Sequence, residues 1–93
     1  MKKSDIVNAV CAEFEVEASA LRSVGRKPCQ QVSDARAMVV YLFDKERVAY
    51  PTEVQRMLAV SEGGYRAMLS RARARVSNDA IFRHHLQVIK ENF

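Results

Sequence analysis

The chain has 93 residues, of which 48% are hydrophobic and 28% charged, and a net charge of +4, so this sequence has room for one hydrophobic core but not for a second, catalytic domain. Its two cysteines, Cys11 and Cys29, have no further Cys or His at metal-finger spacing, which excludes a zinc finger and a disulfide framework. The amino-terminal residues lack the continuous apolar run of a signal peptide or membrane span, so we expect a cytoplasmic protein.

The hydrophobic pattern predicts one all-α domain of five or six helices over residues 1–93, because no segment alternates apolar and polar residues as a strand does. The first helix is predicted from an N-cap at Ser4 to about Phe14, with Cys11 in the core. Residues 16–24 are predicted to form a short helical turn that carries Leu21 inward.

The second helix is predicted from about Ser33 to Arg47 as the central core helix, with Ser33 and Asp34 as candidate caps. A third helix of about two turns is predicted to begin at Pro51-Thr52, because Thr52 and Gln55 have the spacing of a capping box. Residues 59–61 are predicted to form the tight turn that ends it. The side chains expected to face the core are Ala35, Met38, Val39, Leu42, Phe43, Val54, Met57 and Leu58.

The clearest amphipathic pattern runs from Glu62 to Val76 and predicts the fourth helix. Its apolar positions follow an i, i+3, i+4, i+7, i+11 series: Tyr65, Met68, Leu69, Ala72 and Val76. A last helix is predicted from about Asn78 to Asn92, capped by Ser77 or Asn78. Its expected core positions are Ile81, Phe82, either His85 or Leu86, and Ile89.

Two helices joined by a short turn, with a basic outer face on the second, predict a helix-turn-helix over Pro51 to Val76. Opposite the buried stripe of the fourth helix lie small residues, flanked by Arg66 and Arg73 on one side and by Arg71 and Arg75 on the other. Those small residues are Gly63, Ala67, Ser70 and Ala74. Such a face allows the backbone to approach the bases while arginines reach the phosphates. Ser61 is predicted to cap this helix, whose free N–H groups would hold a phosphate oxygen.

Positive charge is concentrated in two segments, residues 18–28 with three basic and no acidic residues, and residues 61–76 with four arginines and Glu62. The sequence therefore predicts binding of double-stranded DNA through the helix-turn-helix and the basic loop Gly25 to Pro28, with modest sequence preference from Arg66 and Ser70 and with Glu62 as a candidate cytosine reader. No cofactor and no metal are expected. The predicted DNA-binding residues are Arg26, Lys27, Thr52, Ser61, Gly63, Gly64, Arg66, Ala67, Ser70, Arg71, Arg73 and Arg75.

The segment from about Ile6 to Val76 resembles the carboxy-terminal DNA-binding domain of bacterial chromosomal replication initiators, a Trp-repressor-like helical fold. The residues that carry the resemblance are Ile6, Val10, Phe14, Leu21, Arg26, Ala35-Arg36, Met38, Tyr41 and Leu42. The resemblance implies that the basic loop reaches the minor groove beside the helix-turn-helix, and it implies a role in replication or transcription regulation.

Two features depart from that family. At the start of the fourth helix the initiators carry an Arg-Asp-His-Thr-Thr-type signature, whereas this chain has Gly63-Gly64-Tyr65-Arg66, so recognition of an origin sequence does not follow. The sequence also has no phosphate-cradling glycine loop of an ATPase. Separately, residues 60–75 are similar to the promoter-reading helix of sigma factors, which supports the helix-turn-helix without indicating its target.

Two alternatives to DNA binding by the basic helix are open, one for the function of the helix and one for the role of Arg66. The basic helix of a protein–protein adaptor would dock on an acidic partner, and a homodimer is also compatible with the predicted fold. Arg66 can instead pair with Glu62 on the helix surface at i, i+4 spacing. We do not expect an enzyme, because the adjacent His84 and His85 point about 100° apart on a helix and cannot face one site. One of the two is expected to be partly buried and the other exposed.

Overall fold

The computed structural model describes residues 2–22 and 28–92, and over these residues it contains five α-helices, one short 3₁₀ turn and no β-strand. The helices are α1 (Lys3–Phe14), α2 (Gln30–Glu46), α3 (Pro51–Leu58), α4 (Glu62–Asn78) and α5 (Ala80–Glu91), with the 3₁₀ turn at Ala18–Leu21 between α1 and α2. The predicted all-α class is therefore confirmed. The finer Trp-repressor-like arrangement stays a prediction, and Gly25, Arg26 and Lys27 lie outside the described residues.

The core is built around α2, which packs against α1, α3 and α4. Its buried side chains are the predicted Ala35, Met38, Val39, Leu42 and Phe43, together with Val40. Burial of each large apolar side chain contributes about 1.5–3 kcal/mol, so this helix supplies much of the stabilisation. Leu21 of the 3₁₀ turn and Cys11 of α1 are also buried, as predicted, whereas Cys29 is exposed.

Several helix N-termini are capped by acidic side chains, whereas the sequence predicted neutral capping residues there. In α1 the carboxylate of Asp5 accepts from the backbone N–H of Lys2 at 3.2 Å, so Ser4 is not the cap. In α3 the carboxylate of Glu53, rather than Gln55, accepts from the N–H of Tyr50 at 3.3 Å. A carboxylate in the first turn also interacts favourably with the helix dipole, which explains the preference.

The starts of α2 and α5 are also displaced from their predicted positions. Helix α2 begins at Gln30, one turn earlier than predicted, so Ser33 and Asp34 lie inside it. Helix α5 is capped by Asp79, whose Oδ1 accepts from two backbone N–H groups at 3.0 and 3.1 Å, and not by Ser77 or Asn78. These two residues instead end α4, which is longer than the sequence predicted.

The predicted core positions of α5 are confirmed for Phe82, Leu86 and Ile89 and wrong for Ile81, which is 73% exposed. With Phe82 facing the core, Ile81 points about 100° away from it. His85 is half-buried, with its Nδ1 2.6 Å from a carboxylate oxygen of Glu13. The His85 ring also packs on Phe14 at 4.7 Å between centroids, so it joins α5 to α1, while His84 is exposed.

Candidate nucleic-acid interface

Helices α3 and α4 are joined by the short turn that the sequence predicted. Ala59 ends α3 in the left-handed conformation, with φ 55° and ψ 48°. The N–H of Val60 donates to the carbonyl of Gln55 at 3.0 Å and thereby closes the end of the helix. The turn between the two helices therefore comprises three residues, 59–61, and α4 begins directly after it.

Arg36 of α2 braces this turn from the core side. Its Nη2 donates to the carbonyl oxygen of Leu58 at 3.1 Å, at the end of α3 where intrahelical partners run out. The side chain is half-buried, and this burial lowers the pKa of its guanidinium. Arg36 entered the sequence argument only through a family resemblance, because its contact partner is 22 residues away.

The start of α4 is capped as predicted. Ser61 Oγ accepts from the N–H of Gly64 at 3.1 Å. The N–H groups of Glu62 and Gly63 have no intrahelical acceptor, as at the start of any helix. A Cβ at Gly64 would lie 3.2 Å from Ser61 Oγ, whereas a Cβ at Gly63 would have no atom within 4 Å. Gly64 therefore sits tightly beside the cap, and Gly63 faces open space.

The outer face of α4 has the predicted orientation. Its four small residues, Gly63, Ala67, Ser70 and Ala74, are all exposed, and we call them the small-residue face. On the opposite side Tyr65 and Ala72 are buried, and Met68, Leu69 and Val76 are half-buried. An exposed surface without bulky side chains therefore runs along about three turns of the helix.

Two of the arginines that flank this face form ion pairs at the protein surface. Arg66 Nη2 lies 2.6 Å from Glu62 Oε1, which is the i, i+4 pair weighed as an alternative from the sequence. Arg73 Nη2 lies 2.8 Å from Asp44 Oδ2 of α2. Arg71 is exposed and forms no ion pair within residues 2–22 and 28–92. Arg71 thus differs in its electrostatic surroundings from the two arginines on the other side.

Arg75 is directed inward, although the sequence placed it among the phosphate contacts. Its Nη1 lies 2.7 Å from Asp34 and its Nη2 3.4 Å from Asp79, and the guanidinium carbon is 4.1 Å from the centroid of the Phe82 ring. Only 32% of the side chain is exposed. These contacts with α2 and α5, which the sequence did not predict, give Arg75 a structural role and leave its guanidinium less open to a phosphate than that of Arg71.

Of the remaining predicted site residues, the structure describes only one. Thr52 is exposed in the first turn of α3, and Arg26 and Lys27 lie outside the described residues. Sequence reasoning missed Arg56, which is exposed in the last turn of α3, and Asp44. A basic residue close to a predicted turn was a signal for Arg56, whereas nothing in the sequence pointed to Asp44.

An open cleft of about 530 Å³ lies beside this surface, between the end of α2, the segment that follows it, α3 and Tyr65 of α4. Asp44, Arg47, Tyr50 and Glu53 contribute to its walls. Burial and the neighbouring carboxylate of Asp44 raise the pKa of Tyr65. Over the described residues there is no group of His, Cys, Asp or Glu side chains placed to hold a metal ion, and no helix with the length and apolar character needed to cross a membrane.

Comparison of the chain with protein-family models, curated protein sequences and solved structures found no match.

Proposed function

We propose that this protein binds double-stranded DNA, with α4 in the major groove and α3 across the phosphate backbone. The observation that carries the proposal is the small-residue face, which is exposed in full and flanked by Arg66, Arg71 and Arg73. The major groove of B-DNA admits an α-helix, and small side chains in the middle of that helix allow it to lie deep in the groove.

The flanking residues divide into phosphate contacts and base contacts. Arg71 and Arg73 are assigned to phosphates, as is the start of α4 at Ser61, Gly63 and Gly64, where the N–H of Gly63 is free and that of Gly64 is donated to Ser61 Oγ. Thr52 at the start of α3 and the basic segment with Arg26 and Lys27 complete the backbone contacts, the latter on the basis of the family resemblance. Arg66 and Ser70 are assigned to base edges, with Glu62 as a candidate cytosine reader. Arg75 acts only by holding α4 against α2 and α5.

The biological role we propose is regulatory, in transcription or in replication. It rests on the resemblance to initiator and sigma-factor helices and on the likeness of the small-residue face to a recognition surface. Origin recognition is not included, because Gly63-Gly64-Tyr65-Arg66 differs from the initiator signature at the start of the recognition helix.

Salt-dependent binding to a random duplex tests the proposal most directly. We expect fluorescence anisotropy to show binding at low salt, with log K falling linearly against log salt by about 0.9 for each phosphate contact. Arg71→Gln should lower this slope by about one. Lys90→Gln, which removes the same charge from an exposed position on α5, is the matched control and should leave the slope unchanged. Absence of duplex binding by the folded protein at low salt would refute the proposal.

Base preference is expected to depend on Arg66. A bidentate contact between arginine and guanine discriminates by about 1–3 kcal/mol, and this exceeds the roughly 0.3–0.5 kcal/mol of an exposed i, i+4 ion pair such as the one with Glu62. Selection of bound sequences from a random library should therefore show that Arg66→Ala loses preference at one base pair while binding to random duplex is nearly intact. Equal losses on selected and random DNA would place Arg66 among the phosphate contacts instead.

A protein–protein adaptor is the second candidate function. Arg66 and Arg73 already bind carboxylates of this chain, so the same face is chemically suited to an acidic segment of another protein. Such an adaptor would bind an acidic peptide and show no affinity for duplex DNA at any salt concentration, and the titration above separates the two.

A further inference from the structure

Asp44 stands out among the acidic residues because it contacts the candidate interface from a different helix. It lies in the last turns of α2, 29 residues before Arg73, and its carboxylate receives the guanidinium of Arg73 at 2.8 Å. The contact is not a by-product of helix geometry, unlike the pair of Glu62 and Arg66 within one turn of α4. The core packing of α2 against α4 therefore fixes a negative charge at the edge of the small-residue face.

The solvent exposure of Arg73 and Asp44 decides how strongly this negative charge affects a bound phosphate. The side chain of Arg73 is 60% exposed and that of Asp44 is 36% exposed, so the pair is open to solvent and to any polyanion on this face. A phosphate that approaches Arg73 also approaches Asp44 and experiences both charges. Because opposite charges held 2.8 Å apart nearly cancel at distances larger than their separation, Arg73 in this pair attracts an approaching phosphate less than the exposed Arg71 on the other side of the face.

We propose that Asp44 restrains the DNA affinity of this protein by holding and neutralising Arg73, so that duplex binding requires Arg73 to exchange a carboxylate for a phosphate. This inference rests on the proposed DNA-binding function and assigns a restraint to the same site. The opposite arrangement, in which Asp44 orients Arg73 toward a phosphate and strengthens binding, predicts the opposite sign for the loss of Asp44.

The isosteric substitution Asp44→Asn tests whether Asp44 weakens or strengthens DNA binding. It keeps the shape of the side chain and removes its charge, so Arg73 becomes available to a phosphate. We expect binding to random duplex to tighten about two- to fivefold at low salt, as expected for the loss of an exposed ion-pair partner. The gain should shrink as salt is raised, because the interaction is between exposed charges.

Two further variants distinguish an effect of the Asp44–Arg73 pair from an effect of the net charge of the protein. Glu46→Gln removes an exposed negative charge from the same helix, two residues further along, and should change affinity much less. In an Arg73→Gln background, Asp44→Asn should lose at least half of its effect, because the partner is gone. A full gain in that background, or an equal gain from Glu46→Gln, would overturn the inference. Asp44→Ala, assayed below its unfolding temperature, replaces Asp44→Asn if the latter is poorly folded.

The outcomes also distinguish this inference from the proposed function. If the wild-type protein binds duplex and Asp44→Asn binds equally or more weakly, the restraint is refuted while DNA binding stands. If the wild-type protein binds duplex and Asp44→Asn binds it more tightly, both the proposed function and the restraint are supported. If both are folded and neither binds, the proposed function fails, and the restraint is refuted with it.

Discussion

The guanidinium of Arg75 contacts three helices, and its environment decides its role. It pairs with Asp34 of α2 and with the α5 cap Asp79, and it lies over the ring of Phe82. By sequence it was one of four arginines on an amphipathic helix, and its angular position alone did not distinguish it from Arg71. What distinguishes Arg75 is its contact with Asp34, which lies 41 residues away on α2, together with Asp79 and Phe82 at the start of α5.

Replacement of Arg75 by Gln should therefore affect stability. The change leaves Asp34, with 18% of its side chain exposed, without its cation, and removes the contact with Phe82. Allowing for partial solvent exposure, we expect a loss of about 1–2 kcal/mol in unfolding free energy and a fall in Tm of roughly 5–15 °C by calorimetry. Arg71→Gln is the matched control, since exposed substitutions change stability by about 0.5 kcal/mol or less. Equal Tm values for the two variants would contradict the assignment.

At the scale of single elements, the end of α3 contains a strained residue. Ala59 adopts φ 55°, where a Cβ is crowded and where glycine is the usual residue after a helix. Ala59→Gly should relieve this strain at the cost of a more flexible unfolded chain, for a net stabilisation of about 0.5–1 kcal/mol. Denaturant unfolding would measure it. A destabilised Ala59→Gly would mean that the turn needs the alanine side chain.

Because Asp79 caps α5, the folding stability of the protein depends on pH in the acidic range. The backbone N–H of Phe82 and, to a lesser degree, the side chain of Arg75 hold the pKa of Asp79 below its ordinary value of 3.8. Because the folded pKa is the lower one, the stabilisation is present above about pH 4 and is lost as the pH falls through the folded value. Asp79→Asn, which keeps a capping side chain without a titrating group, should show a smaller fall in Tm between pH 4 and pH 2.5. Glu91→Gln at the far end of α5 should retain the wild-type profile, and identical profiles for Asp79→Asn and wild type would exclude this cap as the cause.

The hydrophobic periodicity of the sequence correctly predicted those features of α4 that depend only on residues three or four positions apart. The buried stripe of α4, its outward small residues and the Ser61 cap all follow from spacings of three and four residues, and the structure has them as predicted. Helix starts were less certain where several capping residues stood together, as at Ser77, Asn78 and Asp79. The contacts of Arg73 with Asp44 and of Arg75 with Asp34 could not be predicted, since these residues are 29 and 41 positions away and only the packing of α2 on α4 brings them close.

At the scale of the whole molecule, the two cysteines report on different parts of the fold. Cys29 is exposed at the start of α2, whereas Cys11 is buried in α1 and this burial raises the pKa of its thiol. We expect a thiol reagent at neutral pH to modify Cys29 at once and Cys11 only as fast as the molecule unfolds. In Cys29→Ser the rate should follow unfolding under denaturant, and rapid modification of Cys11 in native buffer would indicate local opening of α1.

The open space at Gly63 has a consequence for how this surface can change. A Cβ placed there would meet no atom within 4 Å, although the position lies in the first turn of α4 on the small-residue face. At a tightly packed position a new side chain disturbs a neighbour, and fold and surface change together. At Gly63 the two are separable, so under the proposed DNA-binding function we expect substitutions such as Gly63→Asn or Gly63→Gln to change target preference with little change in the stability of the domain. Adjacent Gly64, with Ser61 Oγ only 3.2 Å from its missing Cβ, lacks that freedom, and under the same proposal residue 63 is the position from which new specificities would be selected or engineered.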